Sequence, residues 1–183
     1  MENLLLERLI EGNRRYLTSD TNPASFGLAL RRETAEKGQT PHTVVVCCSD
    51  SRVVPESIFS AGLGELFVIR VAGNVLGAPQ IGSIEYAAAH LGCKLIVVLG
   101  HTQCGAVGAA LSGHCEGYVQ CITDEILRAV GGERDPGKAC RLNVLHGVEE
   151  LREAFREHPE IPSDDLILRG AVYDISSGEV EWL

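Results

Sequence analysis

The sequence predicts a single α/β domain, with a mainly parallel central sheet of four to five strands flanked by helices and preceded by an N-terminal helical arm. Three short segments rich in β-branched residues, 43–48, 66–71 and 94–99, are nearly continuous in apolar residues. Such runs are typical of parallel strands that are covered on both faces. Helical patterns lie between the strands, and this alternation is characteristic of α/β domains.

Size and composition agree with one folded unit. The chain has 183 residues, of which 45% are hydrophobic and 22% charged, and a chain of this length buries roughly 70% of its unfolded surface. We find no internal repeat or dividing linker, so residues 1–183 form one predicted domain, with a helical arm at 1–40 and an α/β core at 41–183.

Charge and hydropathy exclude several partners. The formal net charge is −9 and no long basic run occurs, which disfavours nucleic-acid binding. No apolar run approaches the roughly 20 residues that a membrane span needs. The N-terminus lacks the basic start and small-residue cleavage site of a secretory signal. We therefore expect a cytoplasmic protein.

Two helices are predicted ahead of the sheet. The first covers 2–16, where Leu5, Leu6 and Leu9 lie on one helical stripe, and the second covers 28–37 and ends at Gly38. The other predicted elements are, in chain order, helices at 82–91 and 105–111, a helical region at 115–157 broken at 131–137, and strands at 165–173 and 180–183.

Seven cysteines, an odd number, suit metal-binding or catalytic thiols and buried thiols better than disulfides in a reducing compartment. Cys47 should point away from Cys48 and pack in the core. The remaining four have no metal-binding spacing, and we interpret them as core or surface thiols: Cys93, Cys115, Cys121 and Cys140.

The first strand leads into Cys48-Ser49-Asp50-Ser51-Arg52. In an extended segment, side chains two residues apart point the same way. This spacing predicts that the thiol of Cys48, the carboxylate of Asp50 and the guanidinium of Arg52 share one face.

The third strand leads into His101 and Cys104, whose spacing at a helix start brings an imidazole and a thiol together. Ligands of open parallel sheets bind at the carboxyl ends of strands, especially where the strand order reverses, so Cys48 can meet this pair there. Two thiolates and an imidazole suit zinc, and three protein ligands leave a fourth position for water or substrate. The sequence therefore predicts a catalytic zinc site.

The Cys-x-Asp-x-Arg and His-x-x-Cys-Gly motifs resemble those of the β-carbonic anhydrases. The resemblance implies that Cys48, His101 and Cys104 bind one Zn²⁺ per subunit, and that Asp50 and Arg52 form a dyad beside the fourth ligand. It implies reversible hydration of carbon dioxide to bicarbonate and a proton by attack of zinc-bound hydroxide. The likeness covers nearly the whole chain and includes the segments 11–15, 37–41, 65–70, 82–86 and 172–174.

The same resemblance implies a substrate pocket and a quaternary state. Gln39, Phe67 and Tyr86 stand where related enzymes place the carbon dioxide pocket, parts of which come from the neighbouring subunit. A homodimer or homotetramer is implied, with the N-terminal helix at the dimer contact.

Elementary chemistry favours a role for the dyad. Zinc bound by two thiolates has no net charge left, so it acidifies water less than a three-histidine site, where the pKa of bound water falls to about 7. We expect Arg52 to keep Asp50 ionised and turned from the metal, so that Asp50 accepts a hydrogen bond from zinc-bound water or hydroxide.

One position distinguishes this chain from part of the family. A subset regulated by bicarbonate carries tryptophan three residues before the first cysteine ligand, together with an arginine and a tyrosine. Here that position is Val45, although Arg70 and Tyr173 remain. We therefore expect an ungated site with zinc bound by three residues and water.

Alternatives remain at this point. A hydrolase of carbonyl sulfide or carbon disulfide on the same scaffold would carry the same ligands. A non-catalytic zinc or thiol redox sensor would use Cys48 and Cys104 to store metal or to oxidise. The proton shuttle is not assigned, because His42, His90 and His114 are candidates by residue type alone.

Overall fold

The computed structural model describes residues 2–21, 24–113, 115–156, 158, 161 and 166–183. Its centre is a five-stranded sheet with the strand order β2-β1-β3-β4-β5. The first four strands pair in parallel, and β5 is antiparallel to β4. This confirms the predicted fold class. The strands are β1 (Thr43–Cys47), β2 (Leu66–Arg70), β3 (Leu95–His101), β4 (Ile167–Tyr173) and β5 (Val180–Trp182).

The helices are α1 (Glu2–Thr18), α2 (Leu28–Lys37), α3 (Pro55–Ile58), α4 (Ala78–Leu91), α5 (Gly105–Ser112), α6 (Val119–Val130) and α7 (Pro136–Ala154), with a 3₁₀ turn at Ala72–Asn74. The sequence did not predict α3 or the 3₁₀ turn, because elements this short carry no helical period. Asp165, which the sequence placed at the start of β4, lies outside the described residues. In the described part of the chain, no helix has both the length and the apolar character to cross a membrane.

Both faces of the sheet are covered, which explains the continuous apolar runs. Alternate residues of β1 and β3 face α4 and α7 on one side, and the residues between them face α1 and α3 on the other. The first set is Val44, Val46, Ile96 and Val98, and the second is Val45, Cys47, Leu95, Val97 and Leu99. All are fully buried.

The strand order reverses between β1 and β3. The chain passes from β1 to its neighbour β2 on one side, and then through α4 to β3 on the other side of β1. Crevices at the carboxyl ends of strands form at such a reversal. The segments that follow β1 and β3 therefore meet at one edge of the sheet.

The close packing of α7 against the sheet depends on two glycines in neighbouring strands. A Cβ atom at Gly100 would lie 2.5 Å from Cγ2 of Val144, and one at Gly170 would lie 2.9 Å from its Cγ1. Since real Cβ atoms do not approach this closely, only glycine lets α7 lie this near β3 and β4. Val144 thus sets the distance between α7 and the strand that ends at His101.

Helix α1 packs against the core of its own chain. Leu9 is only 1% exposed, and Asn13 Nδ2 donates to the carbonyls of Ile58 (3.2 Å) and Gly178 (3.0 Å). By contrast, α2 has no buried residue. The predicted N-terminal arm is therefore one packed helix followed by one exposed helix.

We expect Gly100→Ala to lower the free energy of unfolding by about 1–3 kcal/mol, the usual cost of overpacking a core. Gly82→Ala is the matched control, because Gly82 lies in α4 with nothing within 4 Å of its added Cβ; it should be neutral or stabilising by about 0.5–1 kcal/mol. Urea unfolding measures both. Equal stability of Gly100→Ala and the parent would show that the contact with Val144 does not limit packing.

Candidate metal centre

Three side chains that can bind a metal converge at the reversal point of the sheet. Cys48 follows β1 directly, His101 is the last residue of β3, and Cys104 immediately precedes α5. One ligand atom from each lies within 4.8 Å of the others. All three residues are buried, with 4%, 0% and 6% of their surface exposed.

The backbone reaches this arrangement by turns and not by the extended conformation expected from the sequence. The Arg52 amide donates to Asp50 Oδ1 (2.9 Å), and the Val53 amide donates to the Asp50 carbonyl (3.0 Å). Gln103 adopts a left-handed conformation with φ of 56° between His101 and Cys104. Asp50 and Arg52 do meet as predicted, but through a tight turn.

His101 is oriented as a ligand. Its Nδ1 lies 2.8 Å from the Thr102 carbonyl oxygen, and since a carbonyl only accepts, Nδ1 carries the hydrogen. In the neutral imidazole the lone pair is then on Nε2. That atom is buried and has no hydrogen-bond partner, which is rare for a buried nitrogen. A metal ion fits this unpaired nitrogen.

The sulfur of Cys48 accepts hydrogen bonds from backbone amides. The amides of Asp50 (3.4 Å) and Gly73 (3.3 Å) donate to it. The Cys104 thiol, followed by the His101 ring and then these amides, holds the pKa of Cys48 well below its usual range. The same bond to Cys48, with burial, raises the pKa of Cys104. The opposite shifts favour a thiolate at Cys48, which suits a divalent cation. Two thiolates and an imidazole are a donor set for zinc.

The carboxylate of Asp50 is held by Arg52. Arg52 Nε donates to Oδ1 (2.9 Å) and Nη2 to Oδ2 (2.7 Å). These bonds, with that from the Arg52 amide, hold the pKa of Asp50 well below its ordinary value. Arg52 Nη2 also donates to the Gln103 carbonyl (3.3 Å). The arginine therefore joins the segment after β1 to the segment after β3.

Two other residues hold the segment after β1 in place. Arg70, at the end of β2, donates to the carbonyls of Cys48 (3.3 Å) and Asp50 (2.7 Å). Gly73 is fixed by Asn143 of α7, whose Nδ2 donates to its carbonyl (2.8 Å). The sequence reasoning missed the roles of Gly73 and Asn143. The position of Gly73, just after β2 at the same edge of the sheet, was the available signal.

Gly73 tolerates no side chain. Its φ is +68°, and an added Cβ would lie 2.8 Å from Ile126 Cδ1 and 3.1 Å from Ala106 Cβ. The 3₁₀ turn is therefore pressed between α5 and α6, and this packing aims the Gly73 amide at Cys48.

The residues that the resemblance places in the substrate pocket lie elsewhere in this chain. The rings of Phe67 and Tyr86 contact each other, with centroids 6.2 Å apart, and Gln39 is exposed between α2 and β1. Phe67 pairs with Val44, which precedes Cys48 by four residues, or about 13 Å along a strand. Within one chain, therefore, Phe67 and Tyr86 do not line the cluster.

The three positions that correspond to those of the bicarbonate-regulated subset make other contacts in this structure. Val45 is completely buried, and the Tyr173 hydroxyl lies 3.1 Å from the Tyr16 hydroxyl. Arg70 binds two carbonyls, as described above.

None of the three histidines considered as proton shuttles is placed beside the cluster by a described contact. His42 precedes β1, roughly 20 Å along the strand from Cys48. His90 packs on the ring of Tyr86, with centroids 5.3 Å apart. His114 lies outside the described residues.

The other thiols behave largely as expected. Cys47 is buried on the opposite face, and burial raises its pKa to about 12. Burial also raises the pKa of Cys93 to about 11. Cys115 is partly exposed and Cys121 is exposed. Cys140 differs, because it packs in the same buried cluster as the two ligand cysteines.

We expect Gly73→Ala to reduce bound metal and to lower stability more than Gly92→Ala does. Gly92 is the matched control, because its φ is +71° but nothing lies within 4 Å of its added Cβ. Both variants pay about 1–2 kcal/mol for the left-handed backbone, so the difference isolates the contact with Ile126. Metal analysis and urea unfolding measure it. Full metal content and equal stability losses would contradict the assigned role.

Comparison with known proteins agrees with this geometry. The sequence model of the family described as "Carbonic anhydrase" matches residues 43–180. A carbonic anhydrase of Mycolicibacterium smegmatis is 47% identical over 94% of this chain and 89% of its own length. Carbonic anhydrase 2 of Mycobacterium tuberculosis is 43% identical over 69% of this chain, but the match spans only 64% of that relative.

The fold has solved counterparts. Tetrameric β-carbonic anhydrases from Sordaria macrospora superpose with a TM-score of 0.70 at 28% identity, covering 85% of this chain and 87% of theirs. With three metal-binding side chains at the reversal of a parallel sheet, these matches show that the chain belongs to the β-carbonic anhydrase family.

Proposed function

We propose that this protein is a zinc-dependent carbonic anhydrase that catalyses the reversible hydration of carbon dioxide to bicarbonate and a proton. The observation that carries the proposal is the pairing of Asp50 with Arg52 beside Cys48, His101 and Cys104. A carboxylate bound in this way is not a fourth ligand. A tetrahedral site with three protein ligands then keeps one position for chemistry.

Zinc held by Cys48, His101 and Cys104 would supply a Lewis acid that lowers the pKa of water. Asp50 would orient the oxygen nucleophile. Oδ1 accepts two hydrogen bonds from Arg52 and Oδ2 accepts one, so Oδ2 retains capacity for a further donor. Because Arg52 keeps the pKa of Asp50 low, the carboxylate stays ionised at physiological pH and can accept that hydrogen bond.

The protein environment compensates for the weak charge of such a centre. Two thiolates cancel the charge of Zn²⁺, so the cation alone offers little attraction for a developing anion. Arg52, whose side chain is 48% exposed, places guanidinium donors beside the cluster while its charge is paired with Asp50. The proton released by the reaction leaves to solvent or buffer in this scheme, since His42 is roughly 20 Å from Cys48 along the strand.

An ungated site is part of the proposal. A bicarbonate switch of the kind described for the family subset needs an indole at position 45, and Val45 is buried in the core. Arg70 already binds the Cys48 and Asp50 carbonyls. Both observations support a site that is open without an effector.

We further infer a homodimer or homotetramer in which Gln39, Phe67 and Tyr86 contribute to the substrate pocket of a neighbouring subunit. Tyr86 is 48% exposed although it is aromatic and packs on Phe67. Leu4, Phe26 and Leu28 are also exposed in the N-terminal region. The Sordaria macrospora enzymes are tetrameric. Location in the cytoplasm stays a prediction from the sequence.

Replacement of Asp50 separates catalysis from metal binding. Asp50→Ala should keep zinc but lose about 100-fold or more of the hydration rate, because misplacing a reacting atom by about 1 Å can cost that much. Cys48→Ser should lose the metal itself. Glu153→Ala is the matched control, because Glu153 pairs with Arg156 on the surface of α7. Stopped-flow hydration and zinc analysis measure these effects, and unchanged activity in Asp50→Ala would refute the mechanism.

Substrate choice is tested by comparing two assays on one preparation. We expect carbon dioxide hydration to be much faster than release of hydrogen sulfide from carbonyl sulfide. The reverse order would indicate the alternative hydrolase. Bound zinc with turnover of neither substrate would instead favour the redox sensor, in which nothing requires the Asp50–Arg52 pair.

A further inference from the structure

A second set of metal-binding side chains lies between α6 and α7. Glu125 belongs to α6, and His146 and Glu150 stand one turn apart on α7. One ligand atom from each lies within 4.8 Å of the others. His146 Nε2 is 3.7 Å from Glu125 Oε1 and 3.9 Å from Glu150 Oε1.

These contacts leave the group incompletely satisfied. Both distances exceed a hydrogen bond, and His146 Nε2 is buried without a partner. Buried nitrogens are nearly always paired. Two carboxylates also face each other here, and burial, together with the nearby Glu125, raises the pKa of Glu150. Arg128 binds Glu125 through two contacts, of 2.7 Å and 2.6 Å. An unpaired imidazole nitrogen and two carboxylates therefore lie close together between α6 and α7, with one arginine beside them.

We propose that Glu125, His146 and Glu150 bind a divalent transition-metal ion such as Zn²⁺ or Co²⁺. Nitrogen and oxygen ligands lie about 2.0–2.1 Å from zinc, which places tetrahedral ligand atoms about 3.4 Å apart. The two measured separations need to shorten by only a few tenths of an ångström. Glu150 and His146 have 31% and 32% of their side chains exposed, so they have room to move.

The donor set distinguishes this site from the cluster at Cys48. An imidazole favours Zn²⁺, Co²⁺ and Ni²⁺ over Mg²⁺ and Ca²⁺, and the site contains no thiolate. Two carboxylates face the ion, and Arg128 already offsets part of the charge of Glu125. Three protein ligands leave room for water.

The site would join two helices that form a wall of the first centre. Ile126, next to Glu125, packs against Gly73, whose amide donates to Cys48. Val144, half a turn before His146, packs over Gly100. An ion bound by Glu125 and His146 would cross-link α6 and α7 and stabilise the folded state as any ligand of that state does.

The test is a titration of the purified protein with Co²⁺, after its own metal content is measured. We expect one additional Co²⁺ per chain, with visible ligand-field bands but without the sulfur-to-metal charge-transfer band that a thiolate site produces. His146→Ala and Glu150→Gln should each weaken this binding about tenfold or more, while the metal content at Cys48 stays the same. Glu149→Gln is the control, because Glu149 is an exposed glutamate of the same helix that pairs with Arg152.

Three outcomes would overturn the proposal: no additional Co²⁺ bound, additional binding that persists in His146→Ala, or binding that appears only with thiolate charge transfer. The first would mean that His146 and the two glutamates form an ordinary polar network without a metal ion. If His146→Ala fails to fold, His146→Gln replaces the imidazole by a neutral polar group and must show the same loss. Because the proposal concerns a thiolate-free site, its result is independent of carbon dioxide hydration.

Discussion

The candidate metal centre depends on the pairing of β1 with β3, two parallel strands that are not consecutive in the chain. This pairing brings Cys48 and His101 to the same edge of the sheet, although the chain completes β2 and α4 between them. The two neighbouring strands lie about 4.8 Å apart, and Cys47 pairs with Leu99, two residues before His101. Each further side chain of the centre then needs only a short turn to reach it, as Asp50 does after β1 and Cys104 does after β3.

Backbone amides and two arginines hold the ligand-bearing segments in the positions that the sheet sets. Amides of Asp50 and Gly73 point at the Cys48 sulfur, and Arg52 and Arg70 donate to the carbonyls of Gln103 and Asp50. Such donors are positioned by folding and need no reorganisation when charge develops. The arginines also explain why an exposed turn keeps its shape beside a reaction site. Arg52 thus has both an electrostatic and a mechanical role in this arrangement.

Much of the fold and of the cluster followed from the sequence, since apolar runs and ligand spacing are local signals. The helix at Leu28–Lys37 was predicted with its observed bounds, and Cys48, His101 and Cys104 do converge. The extended conformation predicted for residues 48–52 was wrong, because Asp50 stabilises a turn that competes with extended backbone. The roles of Gly73 and Asn143 arise from the close approach of α6 and α7, which no local pattern encodes. The role proposed for Tyr86 depends on a neighbouring subunit, and local sequence patterns do not encode contacts between chains.

The hydrogen bonds at the Cys48 sulfur have a consequence for metal binding. The Cys104 thiol and the amide donors already stabilise a thiolate at Cys48, so a divalent cation that binds there meets a ligand that has lost its proton. Binding still displaces the proton of Cys104, whose pKa is raised, so the affinity of the centre for its ion falls as the pH is lowered.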